Sequence, residues 1–214
     1  MEREKKMGTY TRKKMLSKQK FLKAVGTILR KEGYQKLGVN RVAEVAGIDK
    51  SSLYYHFGNF DNLLEQYVLA NDYWLNTFKD PLDDHTDIME QGKKMILDQF
   101  DSLMGSEEMQ AILLWELSEK KGIPKYIAEL REEMGADIIS KFNGYFQDSD
   151  IDFEMLAALM ISGIYYLVLH RNQSRFCNID VCNPEHVDRL KHVINGIIKY
   201  MVQNAHHKDQ NEQA

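Results

Sequence analysis

The sequence predicts an all-α protein of about nine helices, because apolar residues recur at helical spacing along nearly the whole chain. No stretch shows the alternation of a half-buried strand, and the 214 residues include only three prolines. With 43% apolar residues, the chain is long enough to bury a core and too apolar to be disordered. We therefore expect helices packed around a substantial hydrophobic core.

Glycine, proline and polar residues bound the predicted helices. Gly33 ends the first helix, and Gly47 and Gly58 interrupt the chain after the second and the third. Asn183 and Pro184 are an N-cap and a first-position proline that open the last helix. The predicted spans are 16–31, 39–46, 50–57, 60–78, 86–104, 107–120, 124–146, 152–172 and 183–204.

Charge is divided unevenly along the chain. Residues 1–57 carry 14 basic and 5 acidic side chains, a net charge of +9, whereas residues 58–214 carry 14 basic and 27 acidic ones, a net of −13. This division predicts a module that binds a polyanion, joined to a body that does not. The competing interpretation is a solvated basic tail.

The chain lacks the motifs of several protein classes. It has no G-x-S-x-G, no H-E-x-x-H, no P-loop and no G-x-G-x-x-G, so we expect no catalytic residue, metal or cofactor. Cys177 and Cys182 lack zinc-site spacing, and we expect reduced thiols rather than a redox switch or a metal site. The apolar stretch 155–169 is shorter than the ~20 residues that span a bilayer, and residues 1–15 lack a secretory signal. The expected location is the cytoplasm, with no membrane partner.

Three short helices in the basic segment have the layout of a helix-turn-helix. Gly47 allows a sharp turn between the second and third helices, and the small side chains of Ala43 and Ala46 allow these two to cross closely. In such a motif the second of the paired helices enters the major groove of DNA. The expected core residues are Phe21, Val25, Leu29, Val42, Ala43, Ala46, Ile48, Leu53 and Phe57.

With Leu53 and Phe57 turned inward, the third helix presents a polar surface. Hydroxyl and ammonium groups donate to phosphates, and an aromatic ring can contact a thymine methyl group. The competing interpretation is that one of the two tyrosines packs against a neighbouring helix. The expected outward residues are Lys50, Ser51, Ser52, Tyr54, Tyr55 and His56.

The run 47–59, GIDKSSLYYHFGN, preceded by VAEVA, closely resembles the signature of the tetracycline-repressor (TetR) family. The resemblance implies a homodimer that binds a palindromic DNA operator and represses transcription until a small molecule occupies each C-terminal domain. Matched position by position, it implies DNA contacts by Asn40, Lys50, Ser51, Ser52, Tyr54 and His56.

Two positions depart from the family pattern. Gly38 stands where the family usually has a threonine that caps the second helix and touches a phosphate, and Phe60 stands where a lysine is usual. Glycine keeps some capping ability, whereas phenylalanine cannot donate to a phosphate. We expect compensation from Lys36, Arg41 or the basic residues 12–14, which could follow the DNA backbone.

The segment 152–172 is apolar nearly all round and must be covered on several sides. It and the segment 183–204 are either two core helices of a monomer or, as the resemblance also implies, the helices that pair with their copies in a dimer. Binding to the two half-sites of an operator requires two DNA-binding domains held ~34–36 Å apart or at multiples of that distance, which favours the dimer. The expected interface consists of Ala158, Ser162, Val187, Leu190, Ile194, Ile197, Ile198 and Met201.

Aromatic residues of the C-terminal part are candidates for the lining of an effector pocket. Each one taken singly is more often part of a plain core, and the resemblance is what implies a cavity among them. The candidate lining residues are Trp74, Phe100, Trp115, Tyr126, Tyr145, Tyr166 and His170.

The expected organisation has four parts. They are a flexible basic arm at 1–15, a helix-turn-helix domain at 16–59, a larger helical regulatory and dimerisation domain at 60–205, and a disordered tail at 206–214. The expected function is a repressor released by an unidentified small molecule. Two alternatives stay open: a DNA-bound regulator whose C-terminal domain recruits a protein, and an all-α enzyme that uses the C-terminal cavity.

Overall fold

The computed structural model of the chain describes residues 2–80, 82, 83 and 85–205, with side chains from residue 14 onward. It confirms the all-α class, since these residues form ten α-helices, a short 3-10 helix at Tyr34–Lys36 and no β-strand. The α-helices are α1 (Glu2–Lys31), α2 (Val39–Ala46), α3 (Lys50–Phe57), α4 (Phe60–Asn71), α5 (Tyr73–Thr77), α6 (Ile88–Gly105), α7 (Glu107–Ser118), α8 (Gly122–Phe146), α9 (Phe153–His170) and α10 (Pro184–Asn204).

The tenth helix arises from a break at Asp72, which divides the predicted span 60–78 into α4 and α5. The backbone of Asp72 is extended (φ −82°, ψ 127°), and its N–H group still donates to the carbonyl of Val68. Its side chain is fully buried. No glycine or proline marks this break, so helical periodicity alone predicted one continuous helix.

Helix α1 begins at Glu2, well before the predicted start at residue 16. The added segment is rich in Glu, Lys, Arg and Met, which all favour a helix. The backbone of the expected arm at 1–15 is therefore helical from residue 2, while the expected tail at 206–214 lies outside the described residues.

The first of two compact units comprises Met1–Asp72 and Glu107–Leu130. Within it, α1 packs against α2, α3, α4 and α7. Arg30 of α1 forms an ion pair with Glu108 in the first turn of α7. The unit that holds the helix-turn-helix thus also holds α4 and α7, which the predicted boundary at residue 59 had assigned to the other domain.

The close approach of α1 and α4 depends on the absence of a side chain at Gly26. A Cβ atom at this position would lie 2.9 Å from the hydroxyl oxygen of Tyr67, whose ring covers the glycine. The Tyr67 hydroxyl is buried and unpartnered, and burial raises its pKa to about 12. Tyr67 therefore stays neutral and acts as a packing residue between the two helices.

The second unit comprises Tyr73–Ser106 and Arg131–Ala214. Helix α6 lies at its centre and packs against α5, α9 and α10. A hydrogen bond of 2.8 Å from Nε1 of Trp74 to the hydroxyl of Tyr165 joins α5 to α9. These contacts build a second hydrophobic core from helices that are distant in sequence.

Helix α9 exposes an unusual amount of apolar surface. By length and apolar composition alone it could cross a membrane, and only 17% of it is buried within the chain. The sequence-based expectation had counted only residues 155–169 and placed the stretch below that length. Its large exposed side chains are Met155, Leu159 and Tyr166, and Ala158, Ser162 and Gly163 are exposed between them.

Candidate nucleic-acid interface

The turn between α2 and α3 is built on Gly47, whose backbone is left-handed (φ 65°, ψ 34°). The N–H groups of Gly47 and Ile48 donate to the carbonyls of Glu44 and Ala43 at 3.1 Å each, which closes the end of α2. A residue with a Cβ atom is strained at such a positive φ. Glycine therefore sets the direction in which the chain leaves α2.

Asp49 fixes the start of α3. Its carboxylate accepts a 2.8 Å hydrogen bond from the backbone N–H of Ser51, as an N-cap does. The hydrogen bonds from the side chain and the backbone of Ser51 hold the pKa of Asp49 below its usual value. The sequence analysis did not single out Asp49, although an aspartate directly before a helical run is a known N-cap signal.

Two asparagines fix the other end of α3. Oδ1 of Asn59 accepts from the N–H of Asn62 at 2.7 Å and caps α4, while Nδ2 of Asn62 donates to the carbonyl of Phe57 at 3.0 Å. Gly58 connects the two helices with a φ of 78°. Helix α3 is thus bounded by hydrogen bonds at both ends.

The buried side of α3 consists of Leu53 and Phe57, as expected from their spacing. The ring of Phe57 meets that of Phe21 edge to face, with centroids 6.1 Å apart. Of the other expected core residues, Val25, Leu29 and Val42 are buried, whereas Ala43, Ala46 and Ile48 are half-buried.

The solvent side of the motif carries most of the expected DNA-contacting residues. Tyr54 is 47% exposed and Tyr55 is 61% exposed, so neither tyrosine is a core residue. The ammonium of Lys14 lies 5.1 Å from the centroid of the Tyr55 ring and adds positive charge beside it. Asn40, Lys50 and Ser51 are exposed as well, while Ser52 and His56 are half-buried.

Arg41 forms ion pairs with two acidic side chains of the chain while its own side chain remains 39% exposed. Its guanidinium donates to both carboxylate oxygens of Glu32, at 2.9 and 2.7 Å, and to Glu44 at 2.8 Å. These hydrogen bonds raise the pKa of Arg41 and lower that of Glu32. A DNA contact by Arg41 stays a prediction, and such a contact would have to compete with these two surface ion pairs.

The two unusual positions have clear structural roles. Gly38 precedes α2 with an extended backbone and offers no side-chain cap, as expected. Phe60 begins α4 and lines an open groove together with Leu64 and Trp115. Of the expected replacements for the missing phosphate contacts, Lys36 is exposed, and the side chains of residues 12 and 13 lie outside the described part.

Comparison with known proteins identifies this motif. The family described as bacterial regulatory proteins, tetR family, matches residues 21–67, a range that contains the complete helix-turn-helix. Residues 21–67 therefore form a DNA-binding motif of the tetR family. No curated protein matches the sequence.

Several solved structures have a similar fold over most of the chain. They include a regulator from Marinobacter aquaeolei VT8 (TM-score 0.62, 18% identity, covering 86% of this chain and 96% of that one). The fatty acid degradation regulator FadR from Bacillus halodurans has a TM-score of 0.61 at 14% identity and covers 84% and 97%. GusR of Salmonella enterica has a TM-score of 0.56 at 17% identity and covers 86% and 95%. At these identities the likeness establishes the fold.

The expected effector-pocket residues are divided between the two units. Trp115 and Tyr126 belong to the unit that contains α2 and α3, and the other five belong to the second unit. Trp74 and Phe100 are buried there, whereas Tyr166 is exposed and stacks on His170 with ring centroids 5.1 Å apart. Tyr145 is half-buried against Phe146. The seven residues therefore do not line one cavity within either unit.

The expected dimer residues also divide. Ala158 and Ser162 lie on the exposed face of α9. Ile194, Ile198 and Met201 are buried in the second unit, so we correct their assignment to the interface: they belong to the chain's own core. Val187, Leu190 and Ile197 are half-buried.

The cysteines show no sign of a metal centre. Cys177 and Cys182 are both free and exposed, and Cys177 lies in a turn with a φ of 49°. Among the described residues no group of three His, Cys, Asp or Glu side chains could hold a metal ion.

His56 predicts a pH dependence of the stability of the helix-turn-helix. Its Nδ1 atom is buried and forms no hydrogen bond with a described residue, and burial together with Lys14 and Lys18 lowers its pKa from the usual 6.5. The unfolded chain, with the higher pKa, takes up the proton first as the pH falls below about 6.5. The free energy of unfolding should therefore decrease from that pH downward until the folded histidine is also protonated.

Urea unfolding between pH 7.5 and 5, followed by circular dichroism, measures this effect. We expect His56→Gln to lose less stability than the wild type over the acid part of this range. Equal losses in the two proteins would exclude His56 as the cause.

Proposed function

We propose that this chain is a homodimeric transcriptional repressor of the TetR family that binds a palindromic operator and is released by a small apolar or aromatic effector in its C-terminal part. The observation that carries the proposal is the orientation of α3. Leu53 and Phe57 are buried beneath it, while Lys50, Ser51, Tyr54 and Tyr55 are exposed above it. This is the arrangement that a recognition helix needs in the major groove.

The exposed face of α9 supports the homodimer. Met155 is 58% exposed, Leu159 61% and Tyr166 48%, and all three follow one another at helical spacing. An apolar face of this extent on a soluble protein marks an interaction site. A second copy is the occupant we propose, because two linked DNA-binding domains are needed to bind two half-sites and the small residues Ala158 and Ser162 permit close helix packing.

The uneven charge supports an N-terminal part that binds DNA and a C-terminal part that does not. The net charge of +9 over residues 1–57 attracts DNA, and that of −13 over residues 58–214 repels it. A regulator of this kind acts where the DNA is, which in a bacterium is the cytoplasm. TetR-family regulators are generally not enzymes, and we propose none of the chain's residues as catalytic.

One observation favours the alternative in which the regulator recruits a protein. Leu114 and Leu117 of α7 are 50% and 72% exposed, and they form an apolar surface on the first unit. If a partner protein binds there, a charged side chain in place of Leu114 should weaken its binding. The same substitution should not change the release of the operator by an effector.

Footprinting of the DNA upstream of the gene, repeated with candidate metabolites, tests the proposal. We expect a protected site with two-fold symmetry and its loss in the presence of one metabolite. Allosteric coupling of about 1–3 kcal/mol would weaken operator binding about 5- to 150-fold. The absence of any protected duplex at low salt would contradict the proposal.

Lys50→Ala tests the proposed phosphate contact of α3. Lys50 is exposed in the first turn of the helix. If its ammonium replaces one counterion, the slope of log Kd against log salt should fall by about one, with equal losses on all operator variants. Fluorescence anisotropy measures the slope, and Lys93→Ala, which removes a lysine paired with Glu90 in the second unit, should leave it unchanged. An unchanged slope in Lys50→Ala would remove Lys50 from the contacts.

A further inference from the structure

Gln99 is a buried polar side chain without a partner. It lies in the middle of α6 and is fully buried, and neither Oε1 nor Nε2 forms a hydrogen bond with any described residue. Its neighbours Ile96, Phe100 and Leu103 are apolar and buried. Leaving both a donor and an acceptor unpaired in such surroundings destabilises the folded state, so the position needs an explanation.

Two backbone carbonyls on the adjacent turns accept side-chain hydrogen bonds within the chain. One turn before Gln99, the carbonyl of Met95 accepts a 2.9 Å hydrogen bond from the hydroxyl of Tyr73. Beyond it, the carbonyl of Met104 accepts from the guanidinium of Arg171 at 3.1 Å. Both partners come from α5 or from the end of α9, whereas Oδ1 of Asn195 on α10, which packs against α6, is buried and forms no hydrogen bond with a described residue either. Gln99 differs from the two carbonyls in having no such partner.

We infer that Gln99 is the polar anchor of the effector site and that the effector carries an uncharged amide-like group on an apolar body. The inference rests on the proposed function, which places an effector in this part of the chain. A carboxamide presents a donor and an acceptor side by side, and a primary amide or a lactam is complementary to both atoms at once. Such a pair would satisfy the two atoms that the chain leaves open.

The charges near Gln99 favour an uncharged effector. On the neighbouring turns of α6, Lys94 pairs with Asp98 at 2.5 Å and Lys191 pairs with Asp101 at 2.6 Å. Each pair lies at the surface and is neutral, so neither supplies a net charge beside Gln99. A carboxylate or an ammonium buried beside Gln99 would gain no counter-charge from these two pairs, which is unfavourable.

Binding measurements with the full-length protein test the inference. The probes are neutral amides of increasing size, benzamide, caprolactam and 2-naphthamide, each compared with a ketone of similar shape and with benzoate. We expect at least one amide to raise the melting temperature of the wild type, and to do so at a concentration at least 10-fold lower than the matched ketone. Benzoate should have no effect. No shift by any amide at millimolar concentration, or equal shifts by amide and ketone, would overturn the inference.

Two variants separate an anchor from a structural residue. In Gln99→Met and Gln99→Leu an apolar side chain replaces the unpaired amide, so we expect an equal or higher melting temperature without ligand and at least 10-fold weaker amide binding. Gln91→Met is the matched control, because Gln91 lies on the same helix and its amide is paired with Asp83 and Thr86. The control should keep amide binding.

Failure of this inference can be told from failure of the proposed function. A lower melting temperature of both Gln99 variants without ligand would show that the amide is held by buried water, and would overturn the anchor. Operator binding released by a metabolite without an amide-like group would also overturn it, while leaving the repressor intact. If the wild type binds no operator at all, the proposed function is contradicted, whether or not the amides bind.

Discussion

Leu159→Asp is expected to convert the proposed dimer into a monomer and to weaken operator binding at least about 100-fold. Leu159 lies in the middle of the exposed face of α9, with Met155 one turn before it and Ser162 one turn after it. A carboxylate at this position would be buried without a partner in the dimer, which opposes association. In the monomer the two DNA-binding domains are no longer linked, so the second one no longer binds its half-site at a high effective concentration. Such linkage raises the overall affinity about 10²- to 10⁴-fold.

Sedimentation velocity measures the oligomeric state of this variant, and fluorescence anisotropy with the footprinted operator measures its affinity. Far-UV circular dichroism should be unchanged, since the side chain is exposed within the chain. Leu114→Asp is the matched control, a leucine of similar exposure in the middle of α7. It should remain dimeric and bind the operator normally. A Leu159→Asp protein that is still a dimer would refute the α9 interface.

Leu53→Ala is expected to destabilise the helix-turn-helix by about 2–5 kcal/mol and to abolish specific operator binding. Leu53 is fully buried and belongs to α3, whose opposite side carries the proposed contacts. The truncation leaves a cavity under the helix, and a densely packed core, in which Phe21 and Val42 are also fully buried, relaxes too little to fill it completely. When the buried face of α3 loses its packing, the exposed residues of the helix are therefore no longer held rigidly in the position that operator binding needs.

Urea unfolding followed by circular dichroism gives the loss of stability for Leu53→Ala. Lys50→Ala serves as its control, because it changes an exposed side chain and should shift stability by no more than about 0.5 kcal/mol. The two variants should thus affect operator binding by different routes, one through folding and one through a phosphate contact. Full stability of Leu53→Ala would contradict the packing on which the orientation of α3 depends.

Local signals in the sequence were sufficient for the helix-turn-helix. The predicted spans of α2 and α3 agree with the structure to the residue, because Gly47 and Gly58 end these helices through their own backbone freedom. The inward spacing of Leu53 and Phe57 likewise follows from helical periodicity. Asp49 carried a readable N-cap signal that was overlooked.

Long-range contacts were beyond the sequence. The break at Asp72 has no glycine or proline to mark it. The ion pair of Arg41 was not visible in the sequence because Glu32 lies nine residues earlier, in the turn after α1. Gln99 looked like any polar residue on an amphipathic helix until its burial and lack of partners could be seen.

Helical periodicity identifies an apolar stripe but not what covers it. For α10 the stripe turned out to face the chain's own core, with Ile194, Ile198 and Met201 buried. For α9 much of it stayed exposed, with Leu159 at its centre. The sequence by itself determined the all-α class, the helix-turn-helix and the charge of that segment, because these depend on residues that are close together in the sequence. Only the tertiary structure decided which apolar faces meet inside the chain and which remain for a partner, because that depends on contacts between residues far apart in sequence.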